Sequence, residues 1–277
     1  MTESASESGA GTARRRFIAP PREQVDAACF QHPLFAEFSA WYTLMASDAW
    51  PDIDVLNARM PLPGRCFVTQ DAALLEDGLH YESRILQGRI ATRLQNWHDL
   101  FNAMVWARHS AIKHALNAQQ CTHIARMGQS ARNAGQQALT QFDETGLIVR
   151  VRDATLLDAW DAHDWSALMH ANAARWRSGD IAIAGVIGHA LMEQMLVPGR
   201  LLVGKCLVVQ GEDEAACITR VAEAILEGEV LAAPAELRPL PLAGIPGWHS
   251  QQDTHFYAQA DYFRPLREGR VYPRPLR

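Results

Sequence analysis

The sequence has no C-x-x-C pair, no long apolar run and no glycine-rich nucleotide motif, and each lack removes a class of function. Its five cysteines, Cys29, Cys66, Cys121, Cys206 and Cys217, are odd in number and widely scattered. That argues against a disulfide framework or a thiolate zinc site. Cys66 and Cys206 lie in apolar, strand-like runs and Cys217 on the core side of a helix, so buried free thiols in a reducing cytoplasm are expected. No apolar run approaches the ~18 residues that a membrane span requires. There is no G-x-S-x-G elbow, no P-loop and no G-x-G-x-x-G after a strand. Gly185-Val186-Ile187-Gly188, inside an apolar run read as helix, is attributed to close packing rather than to a phosphate cradle.

Excess positive charge is also missing. The net charge of −5 argues against a general nucleic-acid binder. Arg264, Arg267, Arg270, Arg274 and Arg277 make a basic C-terminus, read as a solvated end. The N-terminus carries RRRF, but APPREQ follows it with no apolar segment, so it does not read as an export signal. Residues 1–18, rich in Ser, Gly and Glu, are expected to be a disordered tail.

What is present is enough apolar material, 48% of 277 residues, for a sizeable core. The most ordered pattern runs from Thr92 to Asn117. Thr92 followed by Gln95 is a capping-box spacing, with Asn96 and Asp99 as a second possible start one turn later. No Gly or Pro interrupts the run, so one helix of about seven turns is expected. At about 100° per residue, Trp97, Leu100, Phe101, Met104, Val105 and Ile112 share one face. The opposite face carries His98, Asp99, Asn102, His109, Lys113 and Asn117 around Trp106. A wet helix face usually carries long Glu and Lys side chains and no indole. This face reads either as an ordinary solvated helix face or, in the functional reading, as one wall of a polar pocket.

Elsewhere, residues 22–30 and 34–47 read as short helices divided at His32-Pro33. Cys66-Phe67-Val68 after the Pro63-Gly64 turn reads as a strand, and so does His80 to Leu86. ALTQF-DETG-LIVRV reads as a β-hairpin with Asp143 and Glu144 at its exposed tip. Residues 154–176 are helical in period, and Asp180 is expected to cap a buried helix through Leu196. LLVGKCLVV is the best candidate for a central strand, and an amphipathic helix follows it, stopped by Gly228. Half of the fourteen prolines fall after Glu229 together with six aromatic residues, which predicts an extended arm, 229–277, laid across the body. The expectation is an α+β fold, one predominantly helical domain over 19–277 with a small mixed sheet.

The blocks CFVTQ, YESRILQGRIATR, NWHDLFNAMVW, ALTQFDETG, GHALME and PGW…FY…YFRP are familiar. Together, over most of residues 60–265, the chain resembles a bacterial family known only as domain of unknown function 3025. The resemblance implies a bacterial protein and a single domain, and it brings no activity. Ala91 departs from it, where Pro is expected before Thr92-Arg93.

His98, Asp99 and Asn102, and separately His189 with Glu193 one helical turn on, are the candidate catalytic groups. If the two faces converge, a two-histidine, carboxylate-bearing site results, able to work by acid–base chemistry or to hold a divalent metal. Arg93, Trp106 and Lys113 are the candidate substrate-binding groups. The expected partner is a small polar molecule, and the rival expectation is a binding or scaffold protein whose polar strip is satisfied by the C-terminal arm. Glu82 beside Arg84 reads as a cross-strand charge pair.

Overall fold

A computed structural model describes residues 17–128 and 132–277. Most of the segment expected as a tail lies outside these residues; Phe17, within them, packs under the Arg200 guanidinium. Tight 3-10 turns at Arg22–Gln24, Ala27–Gln31 and Pro33–Trp41 lead into α1 (Tyr42–Ala46) and α2 (Ile53–Arg59). Next come β1 (Cys66–Thr69), α3 (Ala72–Leu75), α4 (Tyr81–Leu86) and β2 (Arg89–Thr92). The central helices are α5 (Trp97–Arg108), α6 (Ser110–Met127) and α7 (Ala134–Thr145), which runs into β3 (Gly146–Val151). After α8 (Leu156–Asp161), a π-helical turn at Ser166–Ala171 and α9 (Ala173–Arg177) come β4 (Ile181–Val186) and α10 (His189–Met195). The chain closes with β5 (Val203–Gln210), α11 (Glu214–Glu227), β6 (Arg238–Pro241) and α12 (Thr254–Tyr257).

The architecture is α+β. A mixed sheet in the order β4-β3-β5-β6 has one parallel pair, β3 with β5, flanked by two antiparallel ones. A second sheet is the parallel pair β1 and β2. All six residues of β3 are buried, as a β-branched strand paired on both edges should be. The expected central strand is β5, also paired on both edges. One hydrophobic cluster extends from Phe30 to Phe263. Phe101 and Trp106 are almost fully enclosed in it, and burial of side chains this large stabilises by about 1.5–3 kcal/mol each.

The predicted seven-turn helix is two helices. Thr92 ends β2, Gln95 takes a left-handed φ of 53°, and the start is the second one, with the Asn96 side chain accepting from the Asp99 amide. The axis breaks at His109, whose φ of −122° and ψ of 45° leave the helix. The cause is tertiary: His109 Nε2 lies 2.8 Å from Glu37 Oε2, and its ring packs where a side chain on Gly185 would stand. No local Gly or Pro marks that break.

Further expectations are corrected. His80–Leu86 is a short helix capped by His80, and Arg84 pairs with Asp77 rather than across a strand. A six-residue alternation fits either period, and the buried Arg84, bonding Asp77 and the Leu74 and Leu79 carbonyls, selects the helix. The hairpin at 138–151 is absent: 134–145 is helix α7, opened by an Asn133–Gln136 capping box, and its last residues carry the Asp-to-Gly spacing of a turn. The run after Asp180 begins as strand β4, because a short apolar segment takes the form its neighbour offers and β3 lies alongside. The short helices expected over 22–30 and 34–47 are present and divided at His32, as 3-10 turns, the second passing into α1 at Tyr42. Cys66 is exposed, whereas Cys206 and Cys217 are buried as expected.

The arm after Glu229 is packed, not free. It supplies β6, Tyr262 Oη donates to the Leu202 carbonyl at 2.7 Å, and Leu276 bridges to Val209. Among the described residues no helix is long and apolar enough to cross a membrane.

Gly188 joins β4 to α10, and a Cβ there would stand 2.6 Å from the Thr145 Cα and 2.8 Å from the Gly146 nitrogen. Both are backbone atoms and cannot turn aside. Gly188→Ala is therefore expected to cost about 1–3 kcal/mol or more by overpacking, read as a lowered thermal midpoint. An unchanged midpoint would contradict the close approach of α10 to the end of α7.

Candidate functional site

The polar face of α5 and α6 looks onto a cavity of about 330 Å³, roofed by α4, α7 and the start of α10. Its lining includes His98, Asp99, Asn102, His189, Arg93, Trp106 and Lys113. These are seven of the eight residues singled out from the sequence; the eighth, Glu193, stands behind His98. No residue of 229–277 lines the cavity.

The convergence of the two histidine-bearing helices is close. His98 and His189 face each other edge to face, with their Nε2 atoms 3.0 Å apart. Glu193 Oε2 lies 3.1 Å from His98 Nδ1, so that nitrogen donates and the lone pair of Nε2 turns inward. Two i, i+4 side chains of α10 thus meet one histidine of α5: Glu193 does not share a ligand with His189 but braces His98 from the other side. Glu144 Oε2 is 3.9 Å from His98 Nε2 and 3.8 Å from His189 Nε2.

These positions pull the two imidazoles apart electrostatically. Burial would lower the His98 pKa, but the bond to Glu193 and the charges of Glu144, Glu193 and Asp99 outweigh it and hold it above the ordinary value. His189 is fully enclosed, and burial, reinforced by Lys113 and His98, drives it well below. Its Nδ1 has no partner of good geometry, although the Asp143 carbonyl lies close enough to oppose part of that drop. Burial also raises Glu144, with Asp143 and Glu193 adding to it against His98 and Lys113.

Two predicted catalytic or binding groups are otherwise engaged. Asp99 takes the Arg93 guanidinium in a two-point bond of 2.7 and 3.1 Å, so it is a clamp on Arg93 and not the acid–base partner of His98. Lys113 donates to Asp143 and lies 5.5 Å from the centre of the Trp106 ring.

Four contributors escaped the sequence reading. Glu144 and Asp143 are expected at a hairpin tip and Glu82 in a strand, and Tyr81 carries no sequence signal that marks it for a site. In α7, however, Gln136, Thr140, Asp143 and Glu144 recur at i, i+4, i+7 and i+8, one polar helix face. That spacing was legible. Glu82 is partly buried at the cavity wall, accepts from Asn117 Nδ2 at 2.7 Å, and burial pushes its pKa up to about 7, with Asp143 adding to it, against that bond and the Lys113 and Arg132 charges. Tyr81 Oη accepts from Asn102 Nδ2 at 3.0 Å, which leaves Asn102 Oδ1 unpartnered.

His98, Glu144 and Arg93 also border an outer groove formed with residues 17–23, so they stand at the boundary between groove and cavity. The N-terminal segment is pinned there: Arg22 stacks on Trp50 and Trp97, and Trp97 Nε1 donates to the Pro20 carbonyl.

Fold and site together define an α+β protein with a histidine- and carboxylate-lined cavity between helices. The family described as "Protein of unknown function (DUF3025)" matches residues 66–267, most of the chain, and the protein belongs to that family. No curated protein and no solved structure matches it.

Proposed function

We propose that the protein is an enzyme that hydrolyses a small polar molecule held in this cavity. His98, His189 and Glu144 activate the water, and Asn102, Trp106 and Arg93 position the substrate. One observation carries the reading: the histidine pair and Glu144 converge on the same cavity as two buried side chains with unpartnered polar atoms, Asn102 Oδ1 and Trp106 Nε1. Buried groups of this kind are normally satisfied, so each calls for a ligand or a bound water. The volume sits at the small end of ligand sites, about 300–1,000 Å³, and favours a metabolite-sized substrate over a polymer. That no residue of the C-terminal arm lines the cavity favours this reading over a scaffold whose polar strip the arm would satisfy. The five free thiols favour work in a reducing cytoplasm.

The test is a panel of small esters, amides and phosphate esters with the wild type, His189→Ala and Asn102→Ala, each checked for folding by circular dichroism. Turnover by the wild type, falling about 10²–10⁴-fold in His189→Ala, is the expected result. A folded wild type inert across all three bond classes, or turnover equal in His189→Ala, rejects the hydrolytic reading.

A further inference from the structure

We propose that His98 Nε2, His189 Nε2 and a carboxylate oxygen of Glu144 form a binding site for one divalent first-row transition metal, with Glu193 bracing His98 from behind. The claim deepens the hydrolytic reading by naming what activates the water, but binding can be tested without any substrate.

The three ligand atoms lie within 4.8 Å of one another. Bonds of ~2.0–2.2 Å place two ligands of one metal roughly 3.0–3.5 Å apart at angles between right and tetrahedral. The His98–His189 separation of 3.0 Å meets that as it stands. Glu144, at 3.8 and 3.9 Å, must close by less than about 1 Å, given the same bond lengths. It is able to: its side chain is 38% exposed and makes no hydrogen bond among the described residues. The two imidazoles cannot move as readily. His98 is the second residue of α5 and His189 the first of α10, and the latter is fully buried.

The surroundings fit a cation. With neutral imidazoles the site holds two carboxylates, Glu144 and Glu193, while the nearest cations are already committed, Lys113 to Asp143 and Arg93 to Asp99. A dication balances that charge. A carboxylate on the far nitrogen of a ligating histidine fixes its tautomer and strengthens its donation, and Glu193 Oε2 on His98 Nδ1 occupies that place. Two imidazoles and one carboxylate suit zinc or iron(II) better than magnesium or calcium. Three protein ligands leave coordination positions open for water and substrate. The cavity and the outer groove both reach His98 and Glu144, so either can supply them.

The full chain, stripped with a chelator and dialysed, is titrated with zinc by calorimetry and with cobalt(II) by visible absorption. One equivalent is expected to bind, with cobalt giving the d–d bands of a low-coordinate nitrogen and oxygen site. His98→Ala and His189→Ala abolish both signals, and Glu193→Gln, which removes no ligand, weakens binding about 10–100-fold. His255→Ala, on an exposed residue, leaves them unchanged. Should a histidine variant fail to fold, Glu144→Gln, a change at a part-exposed side chain, serves instead and lowers affinity at least tenfold. A folded wild type that binds no stoichiometric metal overturns the proposal, and so does binding indifferent to His189 and Glu144. Metal bound without turnover leaves this site standing and defeats only the hydrolytic reading; turnover by metal-free protein defeats the site as the water activator.

Discussion

Asp143→Ala is expected to lower the stability of the fold by about 3–5 kcal/mol, the range for stranding one partner of a buried ion pair. The pair is asymmetric. The Lys113 side chain is 5% exposed and that of Asp143 28%. Removing the aspartate leaves the enclosed ammonium beside the Trp106 ring without its hydrogen-bonded carboxylate, with only the charges of Glu82 and Glu144 across the cavity to offset it. Removing the lysine leaves a carboxylate that still reaches the water of the cavity. Lys113→Met should therefore cost clearly less than Asp143→Ala, and the double variant should be more stable than Asp143→Ala alone. Urea unfolding of the three variants reads this directly. Equal costs for the two single changes would show that the ammonium is not stranded, and the burial argument would fail.

Glu82 sets the second large effect. Its carboxyl titrates near pH 7 in the fold, chiefly because burial disfavours the charge, and near 4.5 when the chain is open. Between those values the native state holds a proton that the unfolded state has released. Stability from this group is thus full below about pH 4.5 and is lost as pH rises through 7. The loss is on the order of 3 kcal/mol, from 1.36 kcal/mol per pH unit. Glu82→Gln keeps an acceptor for Asn117 and removes the titration. Its stability should vary less over pH 5–8 than that of the wild type and exceed it above pH 7. Parallel profiles would mean that Glu82 is solvated. Below neutrality the cavity then contains a neutral carboxylic acid, able to donate a hydrogen bond to a bound molecule.

Much of the candidate site is legible in the sequence alone. A helix face bearing His98, Asn102, Lys113 and Asn117 around an indole is open to either reading, solvated face or pocket wall, and burial decides it: Asn102, Trp106, Lys113 and Asn117 are all buried. Pairing within the site was not legible. Asp99 follows His98 in the chain yet bonds Arg93, and His98 instead takes Glu193 from 95 residues away. Sequence neighbours on a helix point about 100° apart, so adjacency never meant contact. Glu144 was lost to a turn signal: Asp, then Gly three residues on, marks a helix running into a strand as readily as a hairpin.

By itself the sequence determined what period and composition determine. It set which stretches carry an apolar stripe, where α11 starts at Asp213 and stops at Gly228, that LLVGKCLVV is an interior strand, and that the proline-rich end must lie against the body. These follow from local sterics and from the need to bury hydrocarbon, and both are written in residue order. Only the tertiary structure decided where α5 gives way to α6 at His109, whether IAIAGV is strand or helix, and which carboxylates stand against His98 and His189. Those outcomes turn on contacts between residues tens of positions apart. Local preference there is nearly balanced, and the packed neighbour supplies the deciding free energy.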